Sequence, residues 1–351
     1  MDAKKILIIA VVAIVAIAGV AVAVFAMQNN GDSVDLKVAY LKKNGYETEM
    51  VGESKGFFKD AGVKVGGVPV SGSGQQSVNA LLAGEVDIAA TGHGPVANAI
   101  HEKGSDIVIV AGVNHSTGGQ VWVTKTDLGI VTYNKDAPNK DAVKTSFEDA
   151  AATLGHAIKF GIQKGATTES EFKGWLKFMG IDFIDFGDTA TTGKPVKLID
   201  LKANTLVTTM GTTNDIDAMA ASQPYPAQAL NGITGSKMIG SNADNGSFDL
   251  SMYITTKAIY DQKKDLIEKF VNGLKKASDY MADPKNTDEC KKICVDVIGE
   301  TSKDAVDAAW MTAVWKTDWS DAMANTLFKT CEKKGYTEIT LETCKNCPFF
   351  S

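Results

Sequence analysis

The chain has 351 residues, 44% hydrophobic and 22% charged, the balance of an ordinary globular protein with room for one large or two medium cores. A net charge of −6 speaks against nucleic-acid binding, which needs a clustered basic surface. All 36 basic residues are Lys, so a bidentate guanidinium clamp is excluded, and any anion site has to use backbone N–H groups, hydroxyls, amides, His or Lys.

Residues 1–5 (Met-Asp-Ala-Lys-Lys) precede Ile6–Ala26, a run without a charged or polar side chain. At ~1.5 Å per residue this run reaches the ~30 Å of a hydrocarbon core. Lys4 and Lys5 hold the short end in the cytoplasm. The sequence therefore predicts a cytoplasmic stub (1–5), a transmembrane anchor (6–26), a flexible linker (27–33) and a folded remainder on the outer face of the plasma membrane. A signal peptide cleaved after Val24-Phe25-Ala26 is the rival reading. The run exceeds the ~7–15 residues of a signal h-region, which favours the anchor.

Beyond the linker, strands and helices alternate. Val34–Tyr40 reads as a strand, Glu53–Asp60 as a helix stopped by Gly62, and Val63–Val70 as a strand. Ser71-Gly-Ser-Gly opens a helix through Gln75–Ala83, Val86–Ala90 is a short strand, and Gly94-Pro95 starts the next helix, with Pro where its missing N–H costs nothing. Asp106–Val113 is a nearly continuous apolar run, as in a strand buried on both faces. The pattern restarts after Lys125: Ala157–Ile162 strand, Glu169–Met179 amphipathic helix, Val196–Ile199 strand, then a helix and strand within Leu206–Ala220. Lys257–Met281 and Ser302–Lys329 read as helical, with Trp310 and Trp315 in a core. The fold class is α/β, a mainly parallel sheet flanked by helices. Residues 80–89 and 207–218 share an order of helix, Gly, acidic residue and apolar strand, an internal echo that fits two similar lobes.

Ligands of open α/β sheets bind at the carboxyl ends of the strands. The loops there supply the candidate ligand-binding residues Lys43 and Asn44; Ser71, Ser73, Gly74 and Gln75; Thr91, Gly92 and His93; Asn114, His115, Ser116 and Thr117; Thr167 and Thr168; and Tyr225. Several of these loops run into a helix, whose first N–H groups and partial positive charge suit an anion. Read singly, each is also an ordinary cap or turn; their shared place at one end of the strands is what points to a ligand. His93 and His115 are candidate donors to an oxyanion. No metal set, catalytic triad or phosphate loop can be assembled, so the sequence predicts no catalytic turnover and no cofactor.

Leu36–Gly45, Gly56–Val65, Ala80–Ala89, Thr91–Pro95 and Gly104–Gly112, in this order, resemble the nitrate/sulfonate/taurine and thiamine-precursor (NMT1/THI5-like) solute-binding proteins of ABC importers. The Tyr40–Gly45 loop is most similar to the aliphatic-sulfonate branch. The resemblance implies a two-lobed periplasmic-binding-protein-like fold (type II) that closes on a small anionic solute, with ABC permease and ATPase subunits as partners. It divides the chain into lobe 1 (34–122), lobe 2 (123–228) and a return to lobe 1 with a Cys-containing tail (229–351). It also implies Lys42 or Lys43 as the positive charge near the oxyanion, against the alternative of a solvated surface pair. The same fold accommodates nitrate, bicarbonate or a pyrimidine, and its superfamily includes a pyrimidine synthase with a Cys-rich active region, whereas residues 34–289 hold no Cys here. A tethered sensor is disfavoured by a five-residue cytoplasmic stub. The tail departs from the family pattern: Cys290, Cys294, Cys331, Cys344 and Cys347 are candidates for disulfides in an oxidising compartment, or for a four-thiolate metal site built by Cys290, Cys294, Cys344 and Cys347.

Overall fold

Short apolar strands that cannot bury both faces alone draw helices over them, and in the computed structural model this yields two six-stranded sheets, each covered by helices. Residues 34–189, 193–299 and 302–350 are described. The expected stub, anchor and linker (1–33) lie outside them. Among the described residues no helix is long and apolar enough to cross a membrane.

The first lobe opens with β1 (Leu36–Leu41), α1 (Glu47–Ser54), α2 (Phe57–Asp60), β2 (Val65–Val70), α3 (Gly74–Leu82), β3 (Ile88–Gly92), α4 (His93–Lys103) and β4 (Ile107–Ser116). The second lobe comprises β5 (Gln120–Thr124), α5 (Lys140–Leu154), β6 (Ile158–Ile162), α6 (Thr167–Met179), β7 (Phe183–Ile184), β8 (Val196–Asp200), α7 (Leu206–Thr212), β9 (Ala218–Ser222), α8 (Tyr225–Gly232) and β10 (Lys237–Ser241). The chain then returns through β11 (Asp249–Thr256), α9 (Lys257–Ala282), α10 (Thr287–Ile298), α11 (Lys303–Thr312), β12 (Val314–Asp318), α12 (Asp321–Lys334) and α13 (Leu341–Lys345). The strand orders are β12-β4-β11-β3-β1-β2 and β10-β5-β9-β6-β8-β7.

Both sheets are mixed: most strands of each run the same way, as expected, with β5 of the second and β11 and β12 of the first set against them. β1 is parallel to β2 and β3, and β6, β7, β8 and β9 are mutually parallel, but β11 is antiparallel to β3 and β4, and β5 is antiparallel to β9 and β10. The cause is the route between lobes. β4 passes to β5 through Thr117–Gly119, and β10 to β11 through Asn242–Phe248, without a crossover helix. A strand that arrives this way enters from the cleft end and runs against its neighbours. The chain passes from the first sheet to the second at 117–119 and back at 242–248.

Two helix expectations also change. The helix drawn over Glu53–Asp60 begins at Glu47 and breaks at Gly56, whose φ of 74° suits a residue without a Cβ. The run Ser302–Lys329 is interrupted by β12, where Trp315 and Thr317 point inward and Val314 and Lys316 outward, the period of a strand. Trp315 is buried against Val51 and Cys294, and Trp310 packs on it at 4.8 Å between ring centroids. The first sheet is covered on one face by Val78, Leu81, Val96 and Leu327, and on the other by Phe58, Phe270 and Leu274. The second lobe's core is aromatic: Trp122, Phe147, Phe160, Phe172 and Trp175.

The first turn of α1 carries two wholly buried carboxyls beneath the Lys43–Gly45 turn. Glu47 accepts from Gly45 N (2.7 Å) and Asn44 Nδ2 (3.1 Å), fixing that turn, yet burial pushes it up to about 7. Glu49 accepts from Tyr253 Oη (3.0 Å) and burial pushes it up to about 8. The folded state therefore holds these protons more tightly than the unfolded chain, and their contribution to stability is lost as pH rises from about 4.5 through about 8. Melting temperature should fall across this window in a pH series, and Glu49→Gln should flatten the fall; a melting temperature that climbs from pH 6 to pH 9 would contradict the assignment.

Candidate functional site

The strand ends of both sheets face a cleft of about 210 Å³. Its first-lobe wall carries Lys43, Asn44, Ser73, Gly74, Gly92, Asn114, Ser116, Asp249 and Ser251; its second-lobe wall carries Gln120, Gln163, Thr167, Thr168 and Ser222. Ala305, Ala308 and Ala309 of α11 add an apolar patch to the lining.

Lys43 follows β1 on the turn held by Glu47. Its side chain is 9% exposed, and Nζ donates to Ser222 Oγ across the cleft at 2.9 Å. Burial pushes the amine down to about 8, with Asp249 pulling the other way. Asp249 begins β11 and accepts from Gly119 N (2.9 Å) and Gln120 Nε2 (2.8 Å). Enclosed except toward the cleft, its carboxyl is pushed up to about 6 by burial against the pull of these donors. Ser73 caps α3 in a capping box with Gln76 and accepts from Gln163 Nε2 of the second lobe at 2.9 Å.

The lobes are shut on one another. Gly94 N donates to Thr167 Oγ1 (3.2 Å), Asn98 Nδ2 to Gly165 O (3.3 Å), and Lys333 Nζ to the buried Glu171 carboxylate (3.0 Å) and Ser247 Oγ (2.8 Å). Gly94 is needed for this approach: a Cβ there would sit 2.6 Å from Thr167 Cα.

Of the residues expected from sequence, Lys43, Asn44, Ser73, Gly74, Gly92, Asn114, Ser116, Thr117, Thr167 and Thr168 line the cleft. The others do not. Ser71 is exposed outside it. Gln75 bonds Asn79 and Asn98 beside Gly165, at the seam between the lobes and outside the cleft. Thr91 is buried and donates to Gly74 O (3.0 Å), supporting the cleft wall from behind. His93 is wholly buried against Thr330 of α12 (2.8 Å), and burial, then Lys333 and Lys334, push it down to about 3, so it carries no charge for an anion. His115 points from β4 away from Asn114 and Ser116, as strand alternation requires, bonding Thr326 and stacking on Phe248. Tyr225 packs into the second lobe's Leu206–Met210 cluster. Lys42 is exposed, leaving Lys43 as the lysine in the cleft.

All five Cys are buried free thiols. Cys290 and Cys294 pack with Trp315, whereas Cys331, Cys344 and Cys347 sit in the first lobe's core, with Cys331 and Cys344 hydrogen-bonded to each other. This separation breaks the expected four-thiolate arrangement, and no disulfide joins any pair. Among the described residues no His, Cys, Asp and Glu cluster could hold a metal ion.

Residues 29–295 match the NMT1-like family. No curated protein sequence matches the chain. Among solved structures, the periplasmic nitrate-binding protein NrtA from Synechocystis PCC 6803 superposes with a TM-score of 0.67 at 15% identity, over 89% of this chain and 85% of that one. The alkanesulfonate-binding protein SsuA from Xanthomonas axonopodis pv. citri, bound to MOPS, gives 0.62 at 14% identity, over 86% and 94%. A Candida albicans protein, CA3427, described as having the generic periplasmic-binding-protein fold, gives 0.65 at 14%, over 90% and 96%. At these identities the likeness is one of fold.

Proposed function

Because the chain belongs to the NMT1-like family and has the periplasmic-binding-protein fold, we propose that it is the solute-binding component of an ABC importer, closing two hinged lobes on a small sulfonate-type oxyanion. The observation that carries this reading is the cleft between the lobes: small, walled by both sheets, and presenting the buried Lys43 ammonium with Ser, Thr and Gly residues around it. A desolvated cation in such a place attracts an oxyanion more strongly than it would in water. Solved nitrate- and alkanesulfonate-binding proteins of the same fold support the ligand class. In this reading the permease reads the closed shape, the 6–26 segment tethers the protein to the outer face of the plasma membrane, and the Cys thiols are the groups available for pairing there.

A thermal-shift screen of the full chain in detergent against alkanesulfonates, taurine, nitrate, bicarbonate and pyrimidines tests the ligand class. Sulfonates should raise the melting temperature by several degrees at millimolar concentration, since stabilisation grows with the logarithm of ligand over Kd. Stabilisation by neutral sugars or peptides alone would refute it.

A further inference from the structure

We propose that the cleft's solute is a zwitterion, and that Asp249, Asn44 and Asn114 form a subsite for its protonated amine. This rests on the cleft being the solute site, and it narrows the ligand class from oxyanions to amino-oxyanions.

Three observations point the same way. The first is charge. Among the described residues lining the cleft, the charged side chains are Lys43 and Asp249. A plain anion would gain from the first and be repelled by the second; a solute with a charge of each sign satisfies both. The second is unused capacity on Asp249. A carboxylate offers about four acceptor positions. Gly119 N and Gln120 Nε2 take one on each oxygen and the Asn242 side chain reaches the same carboxyl, which leaves room for one further donor where it borders the cavity. The third is a pair of unsatisfied acceptors on the same wall. Asn114 Oδ1 is buried without a hydrogen-bond partner, on a side chain 5% exposed. Asn44 Oδ1 is likewise buried and unpartnered, while its amide nitrogen is spent on Glu47 Oε1 at 3.1 Å. Leaving buried acceptors unpaired is costly, and donors from a bound ammonium would relieve the cost. Two of the cleft's hydroxyls are engaged elsewhere: Thr168 Oγ1 donates to Gln120 Oε1 at 2.5 Å and Ser73 Oγ to Gln76 Oε1 at 3.0 Å.

An ammonium carries several N–H donors and a full charge, so it matches two neutral acceptors and one carboxylate better than a single hydroxyl would. The oxyanion end would then face Lys43.

Isothermal titration of the full chain in detergent with matched pairs tests this: taurine against ethanesulfonate, and 3-aminopropanesulfonate against propanesulfonate. The amino member of at least one pair should bind about tenfold more tightly or better, and Asp249→Asn should shrink that preference to within about threefold. Equal binding within both pairs, or preference for the amine-free member, overturns the ammonium subsite and leaves the oxyanion reading standing. Binding of none of the four at millimolar concentration overturns the oxyanion reading itself. The comparison of pairs is made on the unaltered protein, so a poorly folding Asp249→Asn variant does not remove the test.

Discussion

Gly94→Val should leave the protein folded and reduce solute affinity by about a hundredfold or more, because it acts on the closed arrangement of the lobes alone. Gly94 lies in the first turn of α4, where an L-residue is unstrained, and the three atoms nearest an added Cβ all belong to Thr167 of the other lobe. Across the cleft it meets Thr167, 2.6 Å from Cα and 2.9 Å from N, which is backbone and cannot rotate away. To relieve this overlap the lobes have to part, breaking the Gly94–Thr167 and Asn98–Gly165 bonds. Each lobe keeps its own sheet and core, so the melting temperature without solute should change by no more than about 2 °C, in keeping with a substitution that opens no cavity. Titration calorimetry reads the affinity, and small-angle scattering should show that solute no longer contracts the molecule. Wild-type affinity in this variant would mean that the closed arrangement is not the binding state.

Lys43→Met should weaken sulfonate binding by about 2–5 kcal/mol, the cost of removing one partner of a buried, hydrogen-bonded charge pair. Methionine keeps most of the apolar stem, so what is lost is the ammonium and its bond to Ser222. A pH signature separates charge from shape. Burial holds the amine down at about 8, so in the unaltered protein affinity should decline as pH rises through that value, where the proton that attracts the oxyanion is lost. Lys43→Met should remove this decline. If the variant binds as the unaltered protein does, Lys43 is not the anion's partner.

The sequence disclosed the alternation of strands and helices and the rule that ligands gather at the carboxyl ends of strands, and these led to Lys43, Ser73, Gly74, Asn114, Thr167 and Thr168. The same rule explains what escaped. Gln120 and Asp249 are the first residues of β5 and β11, the strands that arrive from the opposite lobe. Such strands present their amino ends to the cleft, so a search of carboxyl ends passes over them. His93, His115 and Thr91 fell in the right loops but on the wrong side, since neighbouring residues alternate across a strand and turn by about 100° in a helix. Their direction depends on register, which the apolar pattern of a doubly buried strand does not mark. Gln163 directly follows β6, at the boundary where strand ends are least well marked.

The threading of β11 between β3 and β4 imposes an order on biogenesis. The second lobe is contiguous, so every strand it needs has been made once Ser241 emerges. The first lobe lacks its middle strand until the whole second lobe has been synthesised, which takes several seconds at ~5–20 residues per second. During that interval β3 and β4 each present an unpaired edge, a template for wrong partners. A nascent chain of this design gains from staying extended, or from a holding chaperone, until β11 arrives, and pulse-labelled nascent chains should acquire protease resistance over 120–241 before they acquire it over 36–116.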